Sequence, residues 1–301
     1  MTDRPTFDDF LRLRASDVRL ARLTHDVAMP RSRGLEFVNG EAPLPLPQGL
    51  DVVPVDLASR SRREAATEEA PAALRWSGRG SLSQNSPEDA AYDFAIAAHV
   101  AHRVPDLLGW FQEIFAVLRV GGVLNLALPD KRFTGDMRRS VSSLGELVES
   151  DFLAPTHPSP RQAFDHSHHS ITLQPRQIWS GDTTSATNHR RGGADALSLA
   201  IAREKARRAS DGANDHNCHC WVFTPFSFLD LLEGVSRLRL FPFVISQFAA
   251  TEPGGATFFV CLRRDSETDP DRLERIQIDA IAYVRSIAEE RHRMAKIFAC
   301  E

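Results

Sequence analysis

Imidazoles, carboxylates and guanidinium groups gather at four places in this 301-residue chain. His99, His102 and Arg103 stand in HVAHRVPD, and Asp130, Lys131, Arg132 and Asp136 in PDKRFTGD. Asp165, His166, His168 and His169 follow in FDHSHH, and His216, Cys218, His219 and Cys220 in HNCHC, directly before Trp221. Histidine exchanges a proton near neutrality, so His99, His102 and His219 are candidate general bases toward a hydroxyl or an amine. Asp130 and Arg132, with Lys131, could fix the orientation of a polar reactant in a displacement that depends on alignment and exclusion of water. Neutral imidazoles and thiolates also bind zinc or iron. The spacing is not that of a finger, because Cys218 and Cys220 are two apart and no CxxC occurs, so no metal is assigned from the sequence. Each group also has a plainer use, as a solvated strand end, a helix cap or a satisfied core residue.

The elements that must position these groups are legible around them. Tyr92 to Asp136 reads as a strand, a polar loop, an amphipathic helix, the Gly121–Gly122 turn and a second strand, VLNLAL. That is a buried βαβ unit with a right-handed crossover. Both strands then point their carboxyl ends the same way, which puts His99 to Asp106 and Asp130 to Asp136 on the edge where open parallel sheets bind ligands. Upstream, GLEFV (34–38) and LDVVPVDL (50–57) read as short buried strands. The prolines of EAPLPLPQG exclude a long helix between them. Residues 7–26 carry apolar positions at helical spacing, and 58–91 should hold a helix, a weak short strand and a loop.

Beyond Asp136 we expect a short helix over 140–151, a Pro/His loop over 154–160, a polar stretch over 183–193 and a basic helix over 194–209. Thr224 followed by Pro225 marks a helix start. LRLFPFVISQF and ATFFVCLRR read as an antiparallel pair joined through TEPGG. From Asp269 a charged amphipathic helix carries Ile276, Ile278, Ile281, Val284 and Ile287 on one side.

Composition narrows the class. A hydrophobic fraction of 42%, a charged fraction of 25% and a net charge of −4 suit a globular protein and point to neither nucleic acid nor a membrane surface. No apolar run approaches the roughly 18 residues of a membrane span, and the acidic start MTDRPTFDDF is unlike a secretory signal, so a cytoplasmic location is expected. Cys218, Cys220, Cys261 and Cys300 are too few for a disulfide framework in a chain this long and are expected as free thiols.

Parallel strands with helices, finished by a reversed strand pair, resemble the class I S-adenosylmethionine-dependent methyltransferases. The segment from His99 to Asp136 is similar to a bacterial methyltransferase block running roughly SHVIEHVPD, helix, LKPGG, strand, PDKR and an aromatic. GLEF (34–37), VDLA (55–58), FDH (164–166) and the HxWxFTP pattern from His219 to Pro225 extend the resemblance over about Gly34 to Arg264. It implies an α/β, Rossmann-like fold whose mostly parallel seven-stranded sheet carries an antiparallel edge pair. The organisation it implies is a helical segment over 1–30, a methyltransferase-like domain over 31–266 with an insertion at about 137–220 above the active site, and a carboxyl-terminal helix over 267–301.

The resemblance also implies S-adenosylmethionine as cofactor, held by Glu36, Asn39, Gly40, Asp56, Leu57 and His99, with Asp56 accepting the ribose hydroxyls. Arg103, Lys131, Asp165, His166 and Trp221 would face the acceptor. Two departures stand out: Val38 and Asn39 occupy the turn where a glycine is usual, and His102 and Arg103 replace a Glu-His pair. The implied reaction is methyl transfer to an O or N nucleophile of a small metabolite or saccharide, by a protein with no nucleic-acid or membrane partner and with a homodimer allowed. The departures leave two alternatives: a catalytically degenerate binding or partner protein, or the same fold used for a non-methylation reaction.

Overall fold

The computed structural model describes residues 4–29, 31–38, 43–57, 74–85, 92–171, 174–181, 196–213, 215 and 217–298. Five strands, β1 (Arg33–Val38), β2 (Asp51–Asp56), β3 (Leu74–Arg75), β4 (Tyr92–Ala98) and β5 (Leu118–Pro129), pair in parallel. β6 (Val244–Ala249) and β7 (Thr257–Arg263) close the edge antiparallel, giving the order β3-β2-β1-β4-β5-β7-β6. The chain builds outward from β1 to β3 and then returns to β4 on the other side of β1. The crevice beyond the carboxyl ends of β1 and β4 is therefore the switch point where an open sheet binds ligands. β6 is shorter than the expected run from Leu238, because Pro242 has no N–H to give a ladder and the pairing starts at Val244.

One face of the sheet is covered from the amino end. Helices α1 (Phe7–Ser16) and α2 (Val18–Leu23) are capped by Thr6 and Asp17 and bury Phe10, Leu20 and Leu23 against Phe94, Ile96 and Val123. The link from β1 to β2 contributes to the same layer. Its described part, 43–50, contains no helix: prolines alternate with leucines, and Leu46 and Leu50 are buried against the strands. A side chain from the centre of β5 ties the layers together, Asn125 Nδ2 donating to the His25 carbonyl at 2.9 Å.

The opposite face carries α4 (Leu107–Val117), α9 (Pro225–Arg237) and α10 (Pro270–Phe298). Trp110 meets Phe37 edge-on at 5.0 Å, and Phe111 packs between Phe241 and Phe243. Asp106 caps α4, and Arg79 grips the same buried carboxylate through Nε (2.6 Å) and Nη2 (3.1 Å), beside the short α3 (Ser81–Asn85). Residue 109 must be glycine here, since a Cβ would lie 2.2 Å from Asp106 Oδ2 and 2.6 Å from Arg79 Nε.

The helix expected over 140–151 begins three residues later, where Ser143 and Glu146 form a capping box, and gives α5 (Leu144–Leu153). Two helices not anticipated follow, α6 (Pro160–His169) and α7 (Pro175–Trp179), before the expected basic helix α8 (Ala196–Ser210), which packs on α6. The polar stretch 183–193 and most of 58–91 lie outside the described residues. Among the described residues, no helix is long and apolar enough to cross a membrane.

Candidate active site

The site is built where β4 and β5 end. β4 stops at Ala98, and His99 turns the chain with φ of 55°, a left-handed conformation costing an L residue about 1–2 kcal/mol. The turn is held because the His99 amide donates to the Ala127 carbonyl of β5 at 2.9 Å, and Nε2 lies 3.4 Å from Thr257 Oγ1. One tight turn later, over Ala101–Arg103, His102 is fully buried, and its Nδ1 has no hydrogen-bond partner. The segment before α9 is laced to this loop: the Trp221 amide donates to the His102 carbonyl (3.0 Å) and its indole N–H to the Val104 carbonyl (2.7 Å). That lacing sets the His219 ring 4.4 Å from the His102 ring, nearly perpendicular to it.

β5 supplies the other wall. Asp130 is wholly buried, and its oxygens accept from the Arg132 guanidinium and amide and from Thr251 Oγ1 at 2.8 Å. The turn that follows ends in Asp136, itself buried: Oδ1 accepts from Arg139 Nη1 at 2.9 Å and Oδ2 bonds His219 Nδ1 at 2.5 Å. Helix α6, started by a Ser159–Gln162 capping box with Pro160 at its first position, brings the His166 ring 4.8 Å from His219, with Nδ1 3.4 Å from Ser170 Oγ. Asp136 and His102, both buried, and His219 and His166, both half-buried, thus form one cluster with His99 at its margin, 6.5 Å from His102 ring to ring.

Charge in the cluster follows from burial and crowding. Burial alone would raise the Asp136 carboxyl, but the hydrogen bond and charge of His219 and the Arg139 guanidinium outweigh it and hold the group well below the usual carboxylate range. Burial pushes His166 down, repulsion from His219 pushes it further, and it titrates at about 3. Burial, with the neighbouring His219 and Arg103, likewise holds His102 well below the usual histidine range, so it stays neutral. Burial also lowers the Lys131 ammonium, an effect that Asp136 and Asp130 partly offset.

Two cavities lie nearby, one lined by Arg103 next to His102 and one by His166. One of about 210 Å³ opens at the ends of β2 and β3 and is lined by Leu57, Arg75, Trp76, Arg103, Val104 and Pro105. The second, about 580 Å³, lies between α6 and α8 and includes His166, Ser170, Lys205, Asp215 and Cys218. Residues 156–157 and 212 line the first, and 158 and 213 the second, so the same two loop segments wall both.

Of the residues picked from the sequence, His99, His102, His166 and His219 come together, and Leu57 and Arg103 share the smaller cavity with Asp56 next to it at the end of β2. Asp130 and Arg132, expected as a catalytic pair, bond each other at 2.7 Å in the loop after β5. Trp221, expected at the acceptor, is 1% exposed with its N–H committed to Val104. Asp165 pairs with Arg161 at 3.4 Å beside a separate cavity of about 170 Å³. Glu36, expected at the cofactor, accepts from the Leu44 amide at 2.7 Å and ties down the proline-rich link; burial raises its pKa. Asn39 and Gly40 lie outside the described residues. Sequence reasoning did not find the Asp136–His219 bond, Arg139, Arg75 or Trp76. The i, i+3 spacing of Asp136 and Arg139 was the one local signal for the first pair.

Residues 38–126, from the end of β1 into β5, match the family described as "Methyltransferase domain". The strand order and this match agree. This segment of the chain is similar to a methyltransferase domain.

No curated protein matches the chain. Among solved structures, a Rhodobacter sphaeroides protein described as a Zn-dependent alcohol dehydrogenase is 12% identical over 87% of this chain and 92% of its own, with a TM-score of 0.43. An S-adenosylmethionine-dependent methyltransferase from Listeria monocytogenes is 13% identical over 78% and 91%, at 0.37. Another from Mesorhizobium loti is 14% identical over 83% and 100%, at 0.38.

The resemblance implies S-adenosylmethionine as cofactor, and the residues present fit its nucleoside end. Asp56 closes β2 beside a cavity with apolar walls from Leu57 and Trp76, as a ribose and a base require. That cavity is smaller than the roughly 300–1,000 Å³ of a whole ligand site. No helix starts among the described residues of the β1–β2 link. Arg75 and Arg103 both stand in the cavity wall.

Proposed function

We propose that this domain methylates an oxygen or nitrogen of a small metabolite or saccharide that sits in the α6–α8 cavity, with His219 as the base. What carries the reading is the Asp136–His219 pair, whose neighbour His166, 4.8 Å away ring to ring, lines the larger cavity, while Arg103, next to His102, lines the smaller one. S-adenosylmethionine, when bound, supplies a sulfonium methyl group. Asp56 and Leu57 would hold its nucleoside and Arg103 its carboxylate. Asp136, fixed by Arg139, keeps the Nδ1 side of His219 engaged and leaves Nε2 to accept the acceptor's proton as the new bond to carbon forms and the carbon–sulfur bond breaks. The hydroxyl and carbonyl groups of a saccharide would find partners in Ser167, Ser170, Lys205 and Asn217 along the larger cavity. Buried free thiols at Cys218, Cys220 and Cys261 are consistent with a cytoplasmic setting.

Calorimetric titration with S-adenosylmethionine and S-adenosylhomocysteine tests the reading. Both should bind, and Asp56→Ala should weaken them at least tenfold, the equivalent of about 1.4 kcal/mol from a lost charged hydrogen-bond pair. Absence of heat and of any thermal shift at millimolar ligand would rule out an active transferase and favour the binding-protein alternative.

A further inference from the structure

The Asp136, His166 and His219 side chains each offer a ligand atom, and those three atoms lie within 4.8 Å of one another. We propose that these residues form a binding site for one divalent first-row transition-metal ion of the zinc type. Two imidazoles and one carboxylate are a donor set suited to such ions, and three protein ligands leave a position open for water or a reactant. The chain spacing gave no hint of this, because the ligands come from the turn after β5, from α6 and from the segment before α9, and only the fold assembles them.

The surroundings are those of a prepared site. Arg139 Nη1 donates to Asp136 Oδ1 at 2.9 Å and leaves Oδ2 to face the imidazoles. Ser170 Oγ at 3.4 Å from His166 Nδ1 orients that ring and leaves its Nε2 as the donor. Outer groups that fix ligating carboxylates and imidazoles in this way are the usual companions of metal sites. His102 stands 4.4 Å from the His219 ring with a buried Nδ1 that lacks a hydrogen-bond partner. His166 also lines the cavity between α6 and α8, which gives an ion a way in and a reactant room on the open position.

In the metal-free protein a hydrogen bond joins Asp136 Oδ2 and His219 Nδ1. An ion would take its place: ligand distances of about 2.0–2.2 Å ask the two atoms to part by roughly 1 Å, and a proton carried on His219 Nδ1 would move to Nε2. The site as such does not depend on methyl transfer. Its use does rest on that reading: an acceptor hydroxyl on the ion's open position gives its proton to solvent, and its lone pair then attacks the methyl carbon as the carbon–sulfur bond breaks. His219 is then a ligand, and acidification by the ion replaces its service as base.

The test uses the full chain stripped with chelator and titrated with Co²⁺, read by visible absorption, and with Zn²⁺, read by calorimetry. One equivalent should bind. His166→Ala should weaken Zn²⁺ at least 100-fold, and its ring proton signals, with those of His219, should shift or broaden on Co²⁺ addition in the unmodified protein while those of His292 do not. Substoichiometric binding, affinity unchanged in both His166→Ala and His219→Ala, or unmoved His166 and His219 signals would overturn the site. S-adenosylhomocysteine titrated into the stripped protein separates the two readings. Binding there with no ion uptake removes the metal and keeps methyl transfer, and ion uptake without nucleoside binding keeps the metal and removes methyl transfer.

Discussion

Asp136 and His219 are 83 positions apart and touch through a single hydrogen bond. At this scale the sequence told which residue types were present but not which would meet. His219 and His166 were visible as candidates, whereas the partner that gives His219 its orientation looked like one more charge in a strand-end cluster. On an acceptor identified by screening, His219→Asn should lower kcat by about 10²–10⁴-fold while S-adenosylhomocysteine affinity stays within about twofold. Asp136→Asn, acting through His219, should lower kcat about tenfold or more and shift the pH–rate profile with little change in KM for the cofactor. The cluster also predicts acid sensitivity in metal-stripped protein. His166 titrates at about 3 when folded against an ordinary value of 6.5, so between those limits the unfolded chain holds a proton that the folded one does not. Stability must therefore fall as pH falls through that window, by at most about 1.4 kcal/mol per unit for this half-buried group. Asp136, depressed in the fold, adds loss in the same direction below its ordinary 3.8. Denaturant midpoints measured from pH 7 to 4 should decline, and His166→Asn should flatten the slope.

Elements were more legible than contacts. The βαβ unit from Tyr92, the strands at Gly34 and Leu50 and the helix at Pro225 are written in local apolar period and cap chemistry, which need no knowledge of the rest of the chain. Helix α6 was missed although Ser159, Pro160 and Gln162 spell a capping box, because the histidines that follow carry little apolar periodicity. The missing helix between β1 and β2 was announced by Pro43, Pro45 and Pro47. α4 offers a test of how tightly an element is fixed at the site. Gly109→Ala would force apart Asp106, the α4 amino end and Arg79, and should cost about 2 kcal/mol in urea unfolding, a lost cap plus a weakened buried ion pair. A loss below about 0.5 kcal/mol would mean the pair yields easily.

Across the whole molecule, the layer over one sheet face comes from segments that the usual sequence patterns treat as peripheral. Leu23 is fully buried there, and Leu23→Ala should lower stability by about 2–5 kcal/mol, measurable as a fall in the denaturant midpoint with an unchanged slope. Helix α2 rests on β5 and β7 as well as on α1. Both helices leave the ribosome ahead of every strand they cover, and β7 follows more than two hundred residues later. At the usual pace of translation that interval is about 10–50 s. For the first part of it, until β4 and β5 have emerged, Phe10, Leu20 and Leu23 have none of the strand residues Phe94, Ile96 and Val123 to shield them, so a nascent chain of this protein is a natural client for whatever holds exposed apolar helices during synthesis.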